Sequence, residues 1–286
     1  MDLLNPRIPL GDWIEDGIDW LTTNVAWLFD FIKVVLTGIY DGLYWVLSTP
    51  PYYVIILIFA AIAFWIRGWK FALFTFLGFY LIRAFNQWNN AMSTISLVLV
   101  AVLIALIIAI PLGILAARSD ALSRVLKPIL DLMQTMPALV YLVPAITIFS
   151  VGVTPGAIAT VIFALPPGVR LTELAIRQVD PEVVEAGYAF GSSPGKILRQ
   201  IQLPLALPTI MAGVNQVIML SLSMVVLAGM AGSGGLGGQV IASISQLNVS
   251  LGMEAGLAVV IIAIFLDRVS NAIGTRSSAL EMVKHG

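Results

Sequence analysis

The chain has 286 residues, 59% hydrophobic and only 11% charged, with a formal net charge of -1. Soluble domains carry roughly 25% charged residues, so an ordinary soluble enzyme is excluded and an integral membrane protein is indicated. The charge balance excludes a nucleic-acid partner, and one histidine (His285) with no cysteine excludes a disulfide framework and a Cys/His metal centre.

The N-terminal stretch lacks the basic, apolar, small-residue order of a cleaved signal and is expected to stay on the mature protein. Residues 8–23 set Ile8, Leu10, Trp13, Ile14, Ile18, Trp20 and Leu21 against Asp12, Glu15, Asp16 and Asp19 at helical spacing. Such a helix lies at the membrane interface with its tryptophans at headgroup level, or packs on a partner, because its acidic face is wrong for anionic lipid. Residues 24–47 are apolar but carry Asp30, Lys33 and Asp41, which makes them the weakest span. Clearer spans follow at 52–66, closed by Arg67-Gly68-Trp69-Lys70, and at 71–85, where Arg83 snorkels at the end. The segment 92–117 is long, and Pro111 predicts a kink. Further spans are expected at 136–150, 157–169, 206–230 and 253–267. A basic segment (Arg118, Arg124, Lys127) precedes the first of these. A turn at Gly152–Gly156 separates the first two, and a polar stretch occupies 170–204.

Eight crossings with both termini inside place almost all basic residues in the cytoplasm. The inner segments then hold Arg7, Arg67, Lys70, Arg118, Arg124, Lys127, Arg170, Arg177, Lys196, Arg199, Arg268, Arg276 and Lys284, and only Lys33 and Arg83 of the 15 fall elsewhere. If 24–47 does not cross, the N-terminus moves outside and the rest stands.

The stretch 170–204 is therefore cytoplasmic. Asp180-Pro181-Glu182 reads as an N-cap acid, a proline at the first helical position and an acid at the positive helix end. A short helix over 181–190 follows, and Gly191 ends it in a left-handed conformation. Ser193-Pro194 starts a second short helix that is expected to end before Pro204, which fixes where the next span begins. Ala186, Gly187, Ala189 and Gly191 are small, so a partner's groove could approach closely. Two short helices side by side make a compact knob; the plainer alternative is an ordinary loop.

The spacing of Glu185-Ala186-Gly187, Gly191, Ile201 and Leu203-Pro204 resembles the loop of bacterial ABC-importer permeases that reads Glu-Ala-Ala, three residues, Gly, nine residues, Ile, one residue, Leu-Pro. Gly187 in place of the second alanine is the one departure. The stretches 130–145, 161–179 and 211–230 resemble the glycine betaine/proline betaine/choline branch of these permeases. The similarity is strong over about 90–270 and looser over the first 85 residues. It implies an all-α type I ABC-importer permease fold with five core helices, 92–117, 136–150, 157–169, 206–230 and 253–267. The chain then divides into N-terminal scaffold segments (1–88), a permease domain (89–272) with its coupling loop at 170–204, and a cytoplasmic tail (273–286). The resemblance further implies two ABC ATPase subunits docking on Glu185, Ala186, Gly187, Gly191, Ile201, Leu203 and Pro204. Glu185 is expected to orient the knob by helix capping or a salt bridge. An external solute-binding protein and a second copy of this chain complete the assembly in the bacterial inner membrane, in contact with lipid.

The chain has no G-x-x-x-x-G-K-[ST] motif, so it holds no ATP by a P-loop; no cofactor belongs to it, and ATP with Mg is expected on the partner. Gly232-Ser233-Gly234-Gly235-Leu236-Gly237 matches G-x-G-x-x-G literally, but it follows a membrane span and not a strand, so a flexible external turn is expected instead of a dinucleotide site. A betaine joins a quaternary ammonium, which favours aromatic faces, to a carboxylate. Gln134, Met136 and Tyr141, with Asn215, Gln216, Ser221 and Ser223 in another span, are candidate pathway residues; the alternative is that they glue helices together. The expected function is import of glycine betaine or a related quaternary-ammonium solute. Choline, carnitine or an amino acid on the same machinery is the alternative, and a passive osmotic channel is a more distant one. No Ser/His or carboxylate pair supports a membrane hydrolase.

Overall fold

The structure, a computed structural model, describes residues 9–284, with side chains described at residue 9 and at 11–272. Arg7, Ile8 and His285 lie outside the described residues. Every regular element among the described residues is helical. In order these are α1 (Leu10–Asn24), α2 (Ala26–Ser48), α3 (Tyr52–Arg67), α4 (Trp69–Ala84), α5 (Trp88–Arg118), α6 (Asp120–Thr135), a 3₁₀ turn and α7 (Leu142–Phe149), and α8 (Val153–Arg177). Then come α9 (Pro181–Ala189), α10 (Pro194–Ile197), α11 (Leu203–Ala228), α12 (Gly235–Ser245) and α13 (Val249–Lys284).

The centre is built from α5, α8 and α11. Arg177 at the end of α8 donates to the Ala116 carbonyl near the end of α5, so these two helices run parallel. The Gly152 N–H donates to the Ala231 carbonyl, which puts the start of α8 beside the end of α11. In lipid, helices associate by close packing of small residues, not by a hydrophobic drive. The seams show this: a Cβ on Gly168 would lie 2.8 Å from the Ala109 methyl, and one on Gly213 would lie 3.0 Å from Leu171 Cβ. α13 closes the bundle against α11, α12 and α4, with Phe265 packed on Phe59 and Phe79 at ring separations of 5.1 and 5.3 Å. α3 and α4 pair as a hairpin around Gly68. At its outer end the Arg83 guanidinium sits over the Tyr52 ring.

Several expectations change. Residues 136–150 are not one straight span. Met136 precedes Pro137 and takes an extended conformation (ψ 134°), as a pre-proline residue must, so α6 ends at Thr135. The chain then bends by 107° between 120–135 and 138–149. The outer part is only about 18 Å long at about 1.5 Å per residue, against about 30 Å of hydrocarbon. The Arg170–Asp131 ion pair holds α6 along the inner half of α8, and the Tyr141–Phe163 ring contact holds the following turn along its outer half. The two pieces therefore make one broken crossing, and the basic segment around Arg124 and Lys127 is helix and not loop.

α8 does not stop at 169. It continues through Pro166 and Pro167 to Arg177, because its last polar residues find partners on α6. α5 carries Pro111 inside one helix, as the single long segment predicts. α2 is long and apolar enough to cross. Its side chains pack on the main apolar cluster through Leu36 and Tyr40, and its contacts Phe29–Phe149, Thr37–Thr154 and Tyr40–Ser93 lie near the outer ends of α7, α8 and α5, so it leans across those ends. The Gly-rich segment is not a loose turn: it returns at once as α12, a helix not expected from the sequence, and α13 then extends the last span to Lys284.

Candidate coupling site and membrane path

The knob forms as its cap residues dictate. The Asp180 carboxylate accepts from the Glu182 N–H at 2.9 Å, with Pro181 in the first turn of α9. At the other end Gly191 adopts φ +76°. Its N–H donates to the Tyr188 carbonyl at 2.8 Å, and the Ser192 N–H donates to the Gly187 carbonyl at 3.1 Å. This paired closure satisfies carbonyls that the helix end would otherwise leave open. Pro194 then opens α10.

The second helix does not end before Pro204. Residues 198–202 form a π-turn in which the Leu203 N–H reaches back to the Leu198 carbonyl, and α11 follows without a break. Pro204 has no N–H to give and its ring crowds the preceding turn; the widened turn absorbs both effects. Pro204 therefore sits inside a continuous helix and does not mark where it begins.

The residues picked out by spacing divide into two sets. Gly187 is buried, and a Cβ there would lie 2.7 Å from Ile201 Cδ1 and 3.4 Å from Ile197 Cγ1. Its small size thus serves packing inside the knob and not the approach of a partner. Ile201, Leu203 and Pro204 are half-buried, and Leu203 joins an apolar cluster with Ile176, Val179, Val184, Leu198, Ala206 and Ile210. Glu185, Ala186, Ala189 and Gly191 face outward. Glu185 makes no cap and no ion pair among the described residues, contrary to expectation. Around it stand residues that the spacing did not single out: Tyr188 is half-exposed, and Phe190 is 91% exposed.

A second missed feature lies where α8 meets α6. Arg177 donates to Asp120 at 2.7 Å, to Glu173 at 2.9 Å and to the Ala116 carbonyl at 2.9 Å. The same Glu173 oxygen accepts from the Ser123 hydroxyl at 2.6 Å. Glu173 is only 8% exposed, and a buried carboxylate is tolerated only when paired and hydrogen-bonded. The Glu173–Arg177 pair at i,i+4 was legible as a helical ion pair, but its partners on α6 were not.

The pathway candidates do not form one cluster. Asn215 is taken up between α11 and α13: its amide donates to Asp267 at 3.3 Å and its oxygen accepts from Ser270 at 2.5 Å. Ser221 is buried with no hydrogen-bond partner among the described residues. Ser223 is exposed and bonds back to the Met219 carbonyl, and Gln134 and Gln216 are exposed. Tyr141 is buried and donates to the Met133 carbonyl across the break, which makes it a brace for the bend. Met136 and Tyr141 do share a cavity of about 650 Å³, lined also by Glu15 and Asp19 of α1.

Residues 109–278 match the family of binding-protein-dependent transport system inner membrane components. The chain is 47% identical to the glycine betaine transport system permease protein OpuAB of Bacillus subtilis, over 98% of this chain and 99% of that one. It is 46% identical to the glycine betaine/proline betaine permease ProW of Escherichia coli, over 94% of this chain and 76% of that one. It is 44% identical to the glycine betaine/carnitine permease GbuB of Listeria monocytogenes, over 96% and 98%. An inward-facing form of the MetNI methionine ABC transporter superposes with a TM-score of 0.62 at 21% identity, over 67% of this chain and 95% of that one, which bears on the fold alone. The broken crossing, the parallel α5 and α8 and the returning α11 are thus the type I importer fold, and the chain belongs to the binding-protein-dependent transport family as a multi-pass inner-membrane permease of an ABC importer.

Proposed function

We propose that this permease moves glycine betaine or a related quaternary-ammonium solute into the cell, and that residues 181–204 are where an ABC ATPase subunit docks. The observation that carries the docking is the two-faced knob. Gly187 and Ile201 lock its inside, while Glu185, Tyr188 and Phe190 stand outward and exposed, with no side-chain hydrogen bond or ion pair among the described residues. An exposed aromatic tip on a rigid, capped helix is what a cleft in another protein takes up. The substrate class rests on the relatives named above.

With one knob per chain, a pair of ATPases that close together calls for two copies of this chain. ATP and Mg then belong to the ATPase pair. Their closure draws the two knobs together, and the helices continuous with the knob, α8 through Asp180 and α11 through the π-turn, carry that motion into the membrane. An external binding protein delivers the solute from the other side.

Uptake of labelled glycine betaine by salt-stressed cells with and without the chain tests the substrate; equal uptake overturns it. Copurification of an ABC ATPase with the wild-type chain, lost on replacing Phe190 and Tyr188 by alanine, tests the docking.

A further inference from the structure

Arg177 stands where α5 and α8 end and α6 begins. One guanidinium reaches Asp120 of α6, Glu173 of α8 and the Ala116 carbonyl of α5. A guanidinium presents five N–H groups in a fixed planar fork, so three acceptors on three helices hold those helices in one relative orientation. We propose that Arg177, with Glu173 and Asp120, is the joint that makes the broken span α6–α7 follow the coupling knob. The proposal rests on the reading of 181–204 as the ATPase-docking knob and assigns Arg177 a positioning role in coupling.

The contacts on either side of this joint differ in how much they rely on charge. The knob is fastened to α8, α11 and α5 by an apolar cluster in which Val184, Leu198 and Leu203, with Ile114 of α5, pack against Ile176, Val179, Ala206 and Ile210. Packed apolar contacts of this sort leave the knob and the inner ends of α8, α11 and α5 to move as one body. α6 is fastened differently. Its apolar edge packs Leu126, Leu130 and Met133 around Ala109 and Val169, and beside that edge it faces α8 across a cavity of about 350 Å³ lined by Lys127, Asp131, Arg170, Glu173 and Arg177. Across that space the Arg177 set and the Arg170–Asp131 pair are the ties. Without Arg177, the nearly buried Glu173 carboxylate keeps only Ser123 as a partner among the described residues, and the start of α6 loses its ion tie to the end of α8. Movement of the knob then reaches the bend at Met136 and Tyr141 only through the remaining contacts, the Arg170–Asp131 pair, Leu130 on Val169 and Tyr141 on Phe163, and reaches it more weakly.

The test uses the complete transporter in lipid vesicles and measures solute moved per ATP hydrolysed. Arg177→Gln is expected to lower that ratio by about tenfold while ATP hydrolysis persists, Arg177→Lys by less, and Asp120→Asn by about threefold. A purely structural role would lower the yield of assembled transporter and leave the ratio unchanged. Where Arg177→Gln does not assemble, Asp120→Asn decides, since the Asp120 side chain is 80% exposed and its loss leaves the Glu173 pair in place. An unchanged ratio in assembled Arg177→Gln, or in Asp120→Asn when the former does not assemble, overturns the joint alone. Absence of ATP-dependent uptake by the wild-type transporter overturns both the joint and the docking reading.

Discussion

At the outer end of the core, α11 turns back on itself with backbone against backbone; at the inner end, α6, α8 and α5 meet through ions. The outer contact is extreme in its closeness: a Cβ on Gly229 would fall 2.3 Å from the Gly237 carbonyl carbon and 2.5 Å from the Gly238 nitrogen. The Leu236 N–H is further pinned by the Thr94 hydroxyl at 2.9 Å, and Leu236 is fully buried. No charged residue occurs between Gly229 and Met253. The inner end instead gathers Asp120, Asp131, Arg170, Glu173 and Arg177. Backbone contact of the first kind has one arrangement. The exposed ties of Asp120 and Asp131 can be exchanged for water or other partners at modest cost, whereas the buried Glu173 must keep a partner. The end that must respond to a cytoplasmic partner is the end held by exchangeable ties.

The sharpest way to break this contrast is at the outer end. Gly229→Val places branched carbons where only backbone fits, and the cost should exceed about 3 kcal/mol. Little folded protein is expected in a detergent thermal-shift assay, and wild-type melting would show that the outer turn is looser than described. Next is the knob. Gly191→Val forces a β-branched residue into the left-handed region, at a local cost of about 1–2 kcal/mol. The membrane bundle should still fold and melt normally, while ATPase copurification and uptake are lost; full uptake would remove the case for a rigid knob. Phe190→Ala should leave stability within about 0.5 kcal/mol, because the side chain is solvent-exposed. It should nevertheless weaken ATPase binding by about 1–3 kcal/mol in a titration. Equal affinity would move the docking surface away from this tip. The smallest effect belongs to Gly187→Ala. The new methyl crowds the tip of Ile201 and meets Ile197 at ordinary contact distance, and alanine favours helix by about 0.5–1 kcal/mol, so the two terms nearly cancel. A severe defect in uptake would show that the inside of the knob tolerates no adjustment.

Much of the knob was legible because its determinants are local. Asp180-Pro181 at one end and Gly191 at the other state a cap, a start and a left-handed stop within a dozen residues, and the structure follows them. The Met136-Pro137 step was equally readable as a helix stop, since a residue before proline avoids the helical region; apolar length alone hid it in a single span. Glu185 shows the opposite limit: its type and place suggested a tie within the fold, and it has none among the described residues. Asn215 was open to two readings on polarity, pathway or helix glue, and polarity cannot say which helix a side chain faces; the structure bonds it to Asp267 and Ser270 of α13.

The sequence by itself determined a membrane protein of apolar helices, its orientation and a capped cytoplasmic knob. Those properties follow from composition, run length, the distribution of lysine and arginine, and local backbone preferences. The tertiary structure alone decided that α6 and α7 share one crossing, that α2 leans across the outer ends and that Gly229 touches Gly237. It alone brought Arg177, 57 residues from Asp120, onto the same joint. Such contacts depend on which face of one helix meets which face of another, and sequence periodicity is silent on that pairing when most faces are apolar.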